Sequence, residues 1–177
     1  MFYQLAKNRI LETDRLILRP ITLDDAEDLF EYASDPENTK NTFPTHQSLE
    51  ESKWIIANLF MRSPLGNFAI ELKENGKMIG TCDLRINEEE RSAELAYAIN
   101  KKYWGNGYAP EAAKKLLDFA FNTLKVERIW AKYTAENGAS GRVMEKIGME
   151  KEGVLRHTKN LCGDFVDQVV YSRINQK

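Results

Sequence analysis

The 177-residue sequence predicts an α+β fold in which an antiparallel meander runs into a parallel βαβ unit. Two patterns carry that expectation. Three strand-like runs, Phe68 to Lys73, Met78 to Ile86 and Ala93 to Asn100, follow one another through short connections, and Asn75-Gly76 is a strong hairpin signal. The third run then leads through a glycine-containing loop into a helical pattern from Ala109 to Leu124 and on to a β-rich run, Arg128 to Tyr133. A strand–helix–strand connection of this kind makes its two strands parallel.

The remaining elements follow in order. Residues 1–12 read as a lead-in. Arg15-Leu-Ile-Leu-Arg-Pro20 reads as a first strand. Thr22 and Asp25 form a capping box, and Ala26, Leu29, Phe30 and Ala33 recur at helical spacing up to Ser34. Asp35-Pro36 ends that helix, and residues 37–47 read as irregular. Ser48 and Glu51 form a second capping box ahead of a helix reaching about Met61, where Ser63-Pro64-Leu65-Gly66 breaks it. The Ala109–Leu124 helix sets Ala112, Ala113, Leu116, Leu117, Ala120, Phe121 and Leu124 on one face, with Glu111, Lys114, Lys115, Asp118 and Asn122 opposite. Asn137 opens a further helix to Ile147, and Gly148 supplies its C-terminal cap. Two closing strands, 150–156 and 165–174, flank Asn160-Leu-Cys-Gly163. No linker, repeat or low-complexity tract divides the chain, so residues 1–177 are expected to form a single domain.

Composition narrows the class. Hydrophobic residues make up 42% and charged residues 29%, as in an ordinary soluble domain. The formal charge of −2, from 25 basic and 27 acidic residues, argues against a nucleic-acid partner. No apolar run is long enough to span a membrane, and the N-terminus carries no secretory h-region. Cys82 and Cys162 stand far apart, which fits a reduced, cytoplasmic setting. With His46 and His157 they are too scattered to suggest a metal site.

Lys102-Tyr-Trp-Gly-Asn-Gly-Tyr-Ala109 is the first functional candidate. A glycine turn between strand and helix can aim backbone N–H groups at an anion, with the helix N-terminus behind them. Gly105 and Gly107 allow close approach and positive φ, and Pro110 suits the first helical turn. The same residues would also serve an ordinary strand-to-helix turn. Gly105-x-Gly107-x-x-Pro110 is not a dinucleotide fingerprint, because Pro replaces the third Gly and no acidic residue follows at the required spacing.

Three linked pieces, Glu94-Leu-Ala-Tyr-Ala-Ile99, the Lys102-x-x-Gly105-x-Gly107 loop, and Asn137-x-x-Ser140 with Glu145-Lys-Ile-Gly148, together resemble the GNAT superfamily of acetyl-CoA-dependent N-acetyltransferases. Glu12-Thr-Asp-Arg-Leu-Ile-Leu-Arg-Pro20 and Glu152-Gly153 look similar to the branch around the ribosomal-protein acetylases RimJ and RimL. The resemblance covers nearly the whole chain. It implies a strongly twisted mixed sheet of about seven strands with about four flanking helices and a splay between two central parallel strands. It further implies that the backbone around Ala98 and Ile99 bonds the pantetheine arm of acetyl-CoA. Lys102, Gly105, Asn106, Gly107, Tyr108 and Ala109 would cradle the pyrophosphate, and Asn137, Ser140 and Lys146 would lie along the far side.

Amine acetylation needs a base, since an amine is mostly protonated at neutral pH, and donors for the oxyanion. No metal is required. Glu94 resembles the family's strand carboxylate and is the candidate base; its plain reading is a solvated strand residue, and Asp83 is the reserve. Many relatives place a Tyr seven residues after the Asn, as acid for the thiolate. Here that position is Met144. Ser140 is the nearest hydroxyl, either as acid or only as a cofactor contact. Tyr32, Phe43 and Trp54 lie where the family builds its acceptor pocket, although each reads first as a core residue. The resemblance favours a protein N-terminal α-amine as acceptor, ahead of a polyamine or an aminoglycoside-like amine. A CoA-binding module without turnover is the competing class, and a homodimer is compatible with the sequence.

Overall fold

The computed structural model describes residues 1–161 and 163–176; Cys162 lies outside the described residues. A single eight-stranded sheet runs through the molecule in the order β1-β2-β3-β4-β5-β6-β8-β7. Its strands are β1 (Leu11–Glu12), β2 (Leu16–Arg19), β3 (Asn67–Leu72), β4 (Met78–Asn87), β5 (Ser92–Ile99), β6 (Arg128–Thr134), β7 (Glu150–Leu161) and β8 (Asp164–Ile174). Only β5 and β6 are parallel; every other neighbouring pair is antiparallel.

Alternation along the strands decides which face each side chain meets. Phe68, Ile70 and Leu72 of β3, Cys82 and Leu84 of β4, and Ala93, Leu95 and Ile99 of β5 enter the main core. The helix α5 (Tyr108–Phe119) covers that face with Ala112, Ala113, Leu116 and Leu117, all fully buried. The helix α6 (Gly138–Lys146) packs beside it through Met144. On the opposite face, α2 (Ala26–Ala33) and α4 (Leu49–Ile55) close a second core through Leu29, Tyr32, Ala33, Met78 and the π-helical residue Ile56 just past α4. Thr81, Asp83 and Arg85 of β4 and Glu94 and Ala96 of β5 share this second face.

Several expectations need correction. The lead-in is structured: α1 (Phe2–Lys7) buries Leu5, and Leu11–Glu12 adds the edge strand that makes eight strands rather than seven. Asp35-Pro36 ends α2 but opens another helix, α3 (Pro36–Thr39), because the Asp35 side chain accepts from the Glu37 N–H. The Thr22–Asp25 box is complete and starts a 3-10 turn ahead of α2. The Ser48 box is only half made: Ser48 Oγ accepts from Glu51 N–H, but Glu51 bonds the Gln47 N–H instead of that of Ser48. Both long helices end in π-helical turns, Ile56–Met61 and Ala120–Leu124. The strand expected over 150–156 continues to Leu161.

The central feature is where β5 and β6 part. They pair only at Ser92/Arg128, Ala93/Ile129 and Glu94/Trp130. Beyond that point β5 stays paired with β4 as far as Ile99, and β6 with β8 as far as Thr134. Each strand keeps its outer partner, so the gap between them stays open as the sheet twists.

Candidate active site

Two spaces meet at this gap. A cleft of about 450 Å³ lies on the loop side and a smaller one of about 180 Å³ on the Glu94 side. Tyr97, Asn137 and Ser140 line both.

The glycine loop forms one end of the larger cleft. Gly105 (φ +80°) and Gly107 (φ +81°) both take the left-handed conformation that favours glycine, and Gly107 caps α5. The N–H groups of Tyr108 and Ala109, at the start of α5, have no partner within the helix, and both residues line the cleft. A clamp unread in the sequence holds the loop. Glu111 in the first turn of α5 accepts from Thr13 Oγ1 (2.6 Å) and from Arg15 Nε (2.7 Å). Arg15 also donates to the Asn106 carbonyl (3.0 Å) and lies 4.4 Å from the Tyr108 ring centre. Asn106 turns its amide back to the carbonyls of Tyr103 and Trp104, and Lys102 Nζ pairs with Glu31 of α2 at 2.8 Å. Gly105, Gly107, Tyr108 and Ala109 therefore line the cleft, while Lys102 and Asn106 brace the loop from outside it.

On the strand side, the ladder decides which backbone groups face the gap. Asn100 N–H donates to Ile79 O, so by alternation Ala98 also directs its N–H and C=O at β4. The backbone groups of Tyr97 and Ile99 point the other way. Ile99 O is already taken by Asn38 Nδ2 (3.2 Å) and Trp104 Nε1 (2.8 Å). The Ile99 N–H and the Tyr97 backbone are left for a ligand in the gap, with Ala98 supplying surface only.

Across the gap, the Asn137 side chain caps α6 by accepting from Ser140 N–H at 3.4 Å. The partly buried Tyr97 hydroxyl donates to Ser140 O at 2.9 Å, tying β5 to α6. Burial pushes the Tyr97 phenol up, which keeps it a donor. Lys146 lines the cleft together with Arg142 one turn earlier, which sequence reading missed. Their i, i+4 spacing on a helix whose other face buries Met144 was the available signal.

The cradle fits an extended ligand carrying phosphates. Two glycines in the left-handed conformation, a helix N-terminus, an unpaired strand edge and two cations on α6 line one continuous cleft.

In the smaller space, Glu94 reaches the surface with 16% of its side chain exposed. It lies between Arg85 (3.7 Å) and Lys132 (3.8 Å), both beyond hydrogen-bond length. Asp83, two residues along the neighbouring strand from Arg85, does not line this space. Burial pushes its carboxyl pKa up, with Arg85 Nε at 2.9 Å opposing. The two candidate carboxylates are exposed to similar extents, 16% for Glu94 and 13% for Asp83, but only Glu94 lines this space. Met144 is buried in the core, 2% exposed, and supplies no proton. Tyr32 is buried and Phe43 packs against the second core, whereas Trp54 is 62% exposed and lines neither space.

This fold and this gap are those of an acetyl-transferring enzyme: the chain belongs to the GNAT acetyltransferase family. Residues 15–150 match the family model described as "Acetyltransferase (GNAT) domain". The N-acetyltransferase YoaA of Bacillus subtilis (strain 168), itself uncharacterized, is 36% identical over 173 residues, covering 95% of this chain and 98% of YoaA. The likewise uncharacterized N-acetyltransferase p20 of Bacillus licheniformis is 34% identical over 172 residues, covering 94% and 97%. Among solved structures, a GNAT-family acetyltransferase from Bacillus anthracis superposes with a TM-score of 0.86 at 28% identity, covering 95% of this chain and 99% of that one. Among the described residues no helix is long and apolar enough to cross a membrane.

Proposed function

We propose that the protein transfers the acetyl group of acetyl-CoA to the α-amine at a peptide N-terminus, by direct attack in a ternary complex. One observation carries this reading: the loop-side cleft and the Glu94 space meet at Tyr97, Asn137 and Ser140. A donor lying in the gap and an amine entering from the opposite face would converge there. The acceptor space is small and opens to solvent, which suits the end of an extended chain. Relatives matching about half the chain carry both acceptor names. YdaF of Bacillus subtilis (strain 168), whose name ascribes ribosomal N-acetylation to it, is 31% identical over 104 residues. The spermidine N(1)-acetyltransferase of Escherichia coli (strain K12) is 30% identical over 92 residues.

In this reading the Gly105–Ala109 loop holds the pyrophosphate, and Arg142 and Lys146 meet negative charge along α6. Glu94 takes the proton from the incoming ammonium, directly or through water. Backbone N–H groups at the gap stabilise the oxyanion. Ser140, in the first turn of α6, donates to the departing thiolate, and the positive end of the helix favours that charge.

The test is thiol release from acetyl-CoA against a panel of peptides with free N-termini and of polyamines. Turnover on peptides is expected, and Glu94→Gln should lower kcat by about 10²-fold or more. Unchanged kcat in that variant would remove Glu94 as base. If acetyl-CoA raises the melting temperature but no amine releases CoA, the protein is a binding module.

A further inference from the structure

We infer that the acceptor carries an anionic group, a carboxylate or its equivalent, close to the amine it presents, and that Lys159 receives that group. The inference rests on the acetyl-transfer reading above and narrows its acceptor.

The charge around the Glu94 space is unbalanced. Arg85, Lys132 and Lys159 line it, against Glu94 as the sole carboxylate among its lining residues. Arg85 is engaged by Asp83 at 2.9 Å, and Lys132 lies near Glu94 and 5.3 Å from the Trp130 ring centre. Lys159 differs from both. Its Nζ donates to the Thr42 carbonyl at 2.8 Å, in a partly buried position. A carbonyl satisfies one N–H but neutralises no charge, and an ammonium has two further donors. Among the described residues Lys159 forms no ion pair. Burial pulls its pKa down, and Lys132 lowers it further.

Holding an uncompensated cation half out of water beside a second lysine is costly unless something answers the charge. Among the described residues nothing does so, and Lys159 lines the space into which, on the acetyl-transfer reading, the acceptor amine enters. An anionic group of the acceptor would supply the missing partner, while Glu94 deals with its amine. A polyamine would bring further positive charge against Lys132 and Lys159. The anion can come from an acidic side chain next to a peptide N-terminus or from the carboxylate of a free amino acid.

Binding and turnover separate this inference from the one beneath it. The CoA-loaded protein is titrated calorimetrically with the acetylated dipeptides Ac-Ala-Glu-NH₂ and Ac-Ala-Lys-NH₂ and with N-acetylalanine, whose only anion is its α-carboxylate. The acidic dipeptide or N-acetylalanine should bind about tenfold or more tighter than the basic dipeptide. Whichever of the two binds names the source of the anion. Lys159→Met should abolish the preference and Lys159→Glu should invert it, with the acetyl-CoA-induced rise in Tm checking that both variants are folded. A lysine that only straps the loop at Thr42 would weaken all ligands alike and leave the preference standing. Equal binding of acidic and basic ligands to the wild type, or a preference unchanged in Lys159→Glu, overturns the inference. If the acidic preference holds while no free amine releases CoA, the subsite stands and acetyl transfer is what fails.

Discussion

Gly107 shows how a single backbone position can be more demanding than its surroundings. A Cβ built there meets Arg15 Nη2 at 3.5 Å, an ordinary contact, so space is not the constraint. Its φ of +81° is, because a side chain in the left-handed region costs roughly 1–2 kcal/mol. Gly107→Val should therefore lower stability modestly but largely abolish the rise in Tm produced by acetyl-CoA, since a branched side chain would crowd the loop end of the cleft where the pyrophosphate is proposed to lie. A variant that binds acetyl-CoA as tightly as the wild type would sink the pyrophosphate assignment. Glu94 and Asp83 teach a related lesson. Both carboxylates lie on the same sheet face one strand apart, yet only Glu94 lines the smaller space.

At the scale of elements, the gap is held by what crosses it. The Tyr97 hydroxyl reaches Ser140 O from β5, and α6 sits close against Tyr133 of β6. Gly141 is the point of contact: a Cβ there would lie 2.6 Å from Tyr133 Oη and 2.9 Å from Cζ. Helix propensity alone would favour Gly141→Ala by up to about 1 kcal/mol. Overpacking against a ring anchored in the core costs typically ~1–3 kcal/mol and should win. Gly141→Ala is thus expected to shift the urea midpoint downwards. Adding Tyr133→Phe removes the nearest atom and should restore part of the loss. An Ala variant as stable as the wild type would mean that α6 shifts freely.

Across the whole molecule, the segment between α3 and α4 links the N-terminal helices to the far side of the gap. Asn41 O accepts from Thr134 Oγ1 at 3.5 Å, Thr42 O accepts from Lys159, and His46 anchors the other end. The His46 N–H donates to Ala33 O, and Nδ1 lies 2.8 Å from Ser52 Oγ. Burial pulls the His46 pKa below its ordinary 6.5, with Glu51 opposing. The sign follows from the depressed folded value. As pH falls through about 6.5 the unfolded chain takes up a proton that the folded site resists, so stability present above that pH is lost below it. Between roughly pH 7.5 and roughly pH 5.5, either side of the usual histidine value, the wild type should lose more Tm than His46→Gln. Equal losses would show that His46 takes up its proton equally in the folded and the unfolded chain, against the depressed folded value.

Much of this protein was legible in the chain itself. Alternation and the Asn75-Gly76 turn marked the meander, the apolar stripe of α5 marked the crossover helix, and the glycines before it marked the loop, because these signals are local and periodic. Capping at Thr22 and Asn137 was equally readable from side chains a few residues apart. Other features depend on contacts distant in sequence. Lys102 and Asn106 look like loop ligands until Glu31 and Arg15, which come from elements earlier in the chain, are seen to engage that stretch. Ala98 and Ile99 look equivalent until the β4 ladder turns one away from the gap and Asn38 and Trp104 occupy the carbonyl of the other. Trp54 looks like a core residue, but the packing of α4 leaves it exposed. Tertiary structure alone decided which backbone groups the splay leaves unpaired, which carboxylate lines the smaller space, and that a lysine of β7 with no ion pair among the described residues stands beside it. Those outcomes depend on where strands part and what packs across the gap, and no local pattern encodes either.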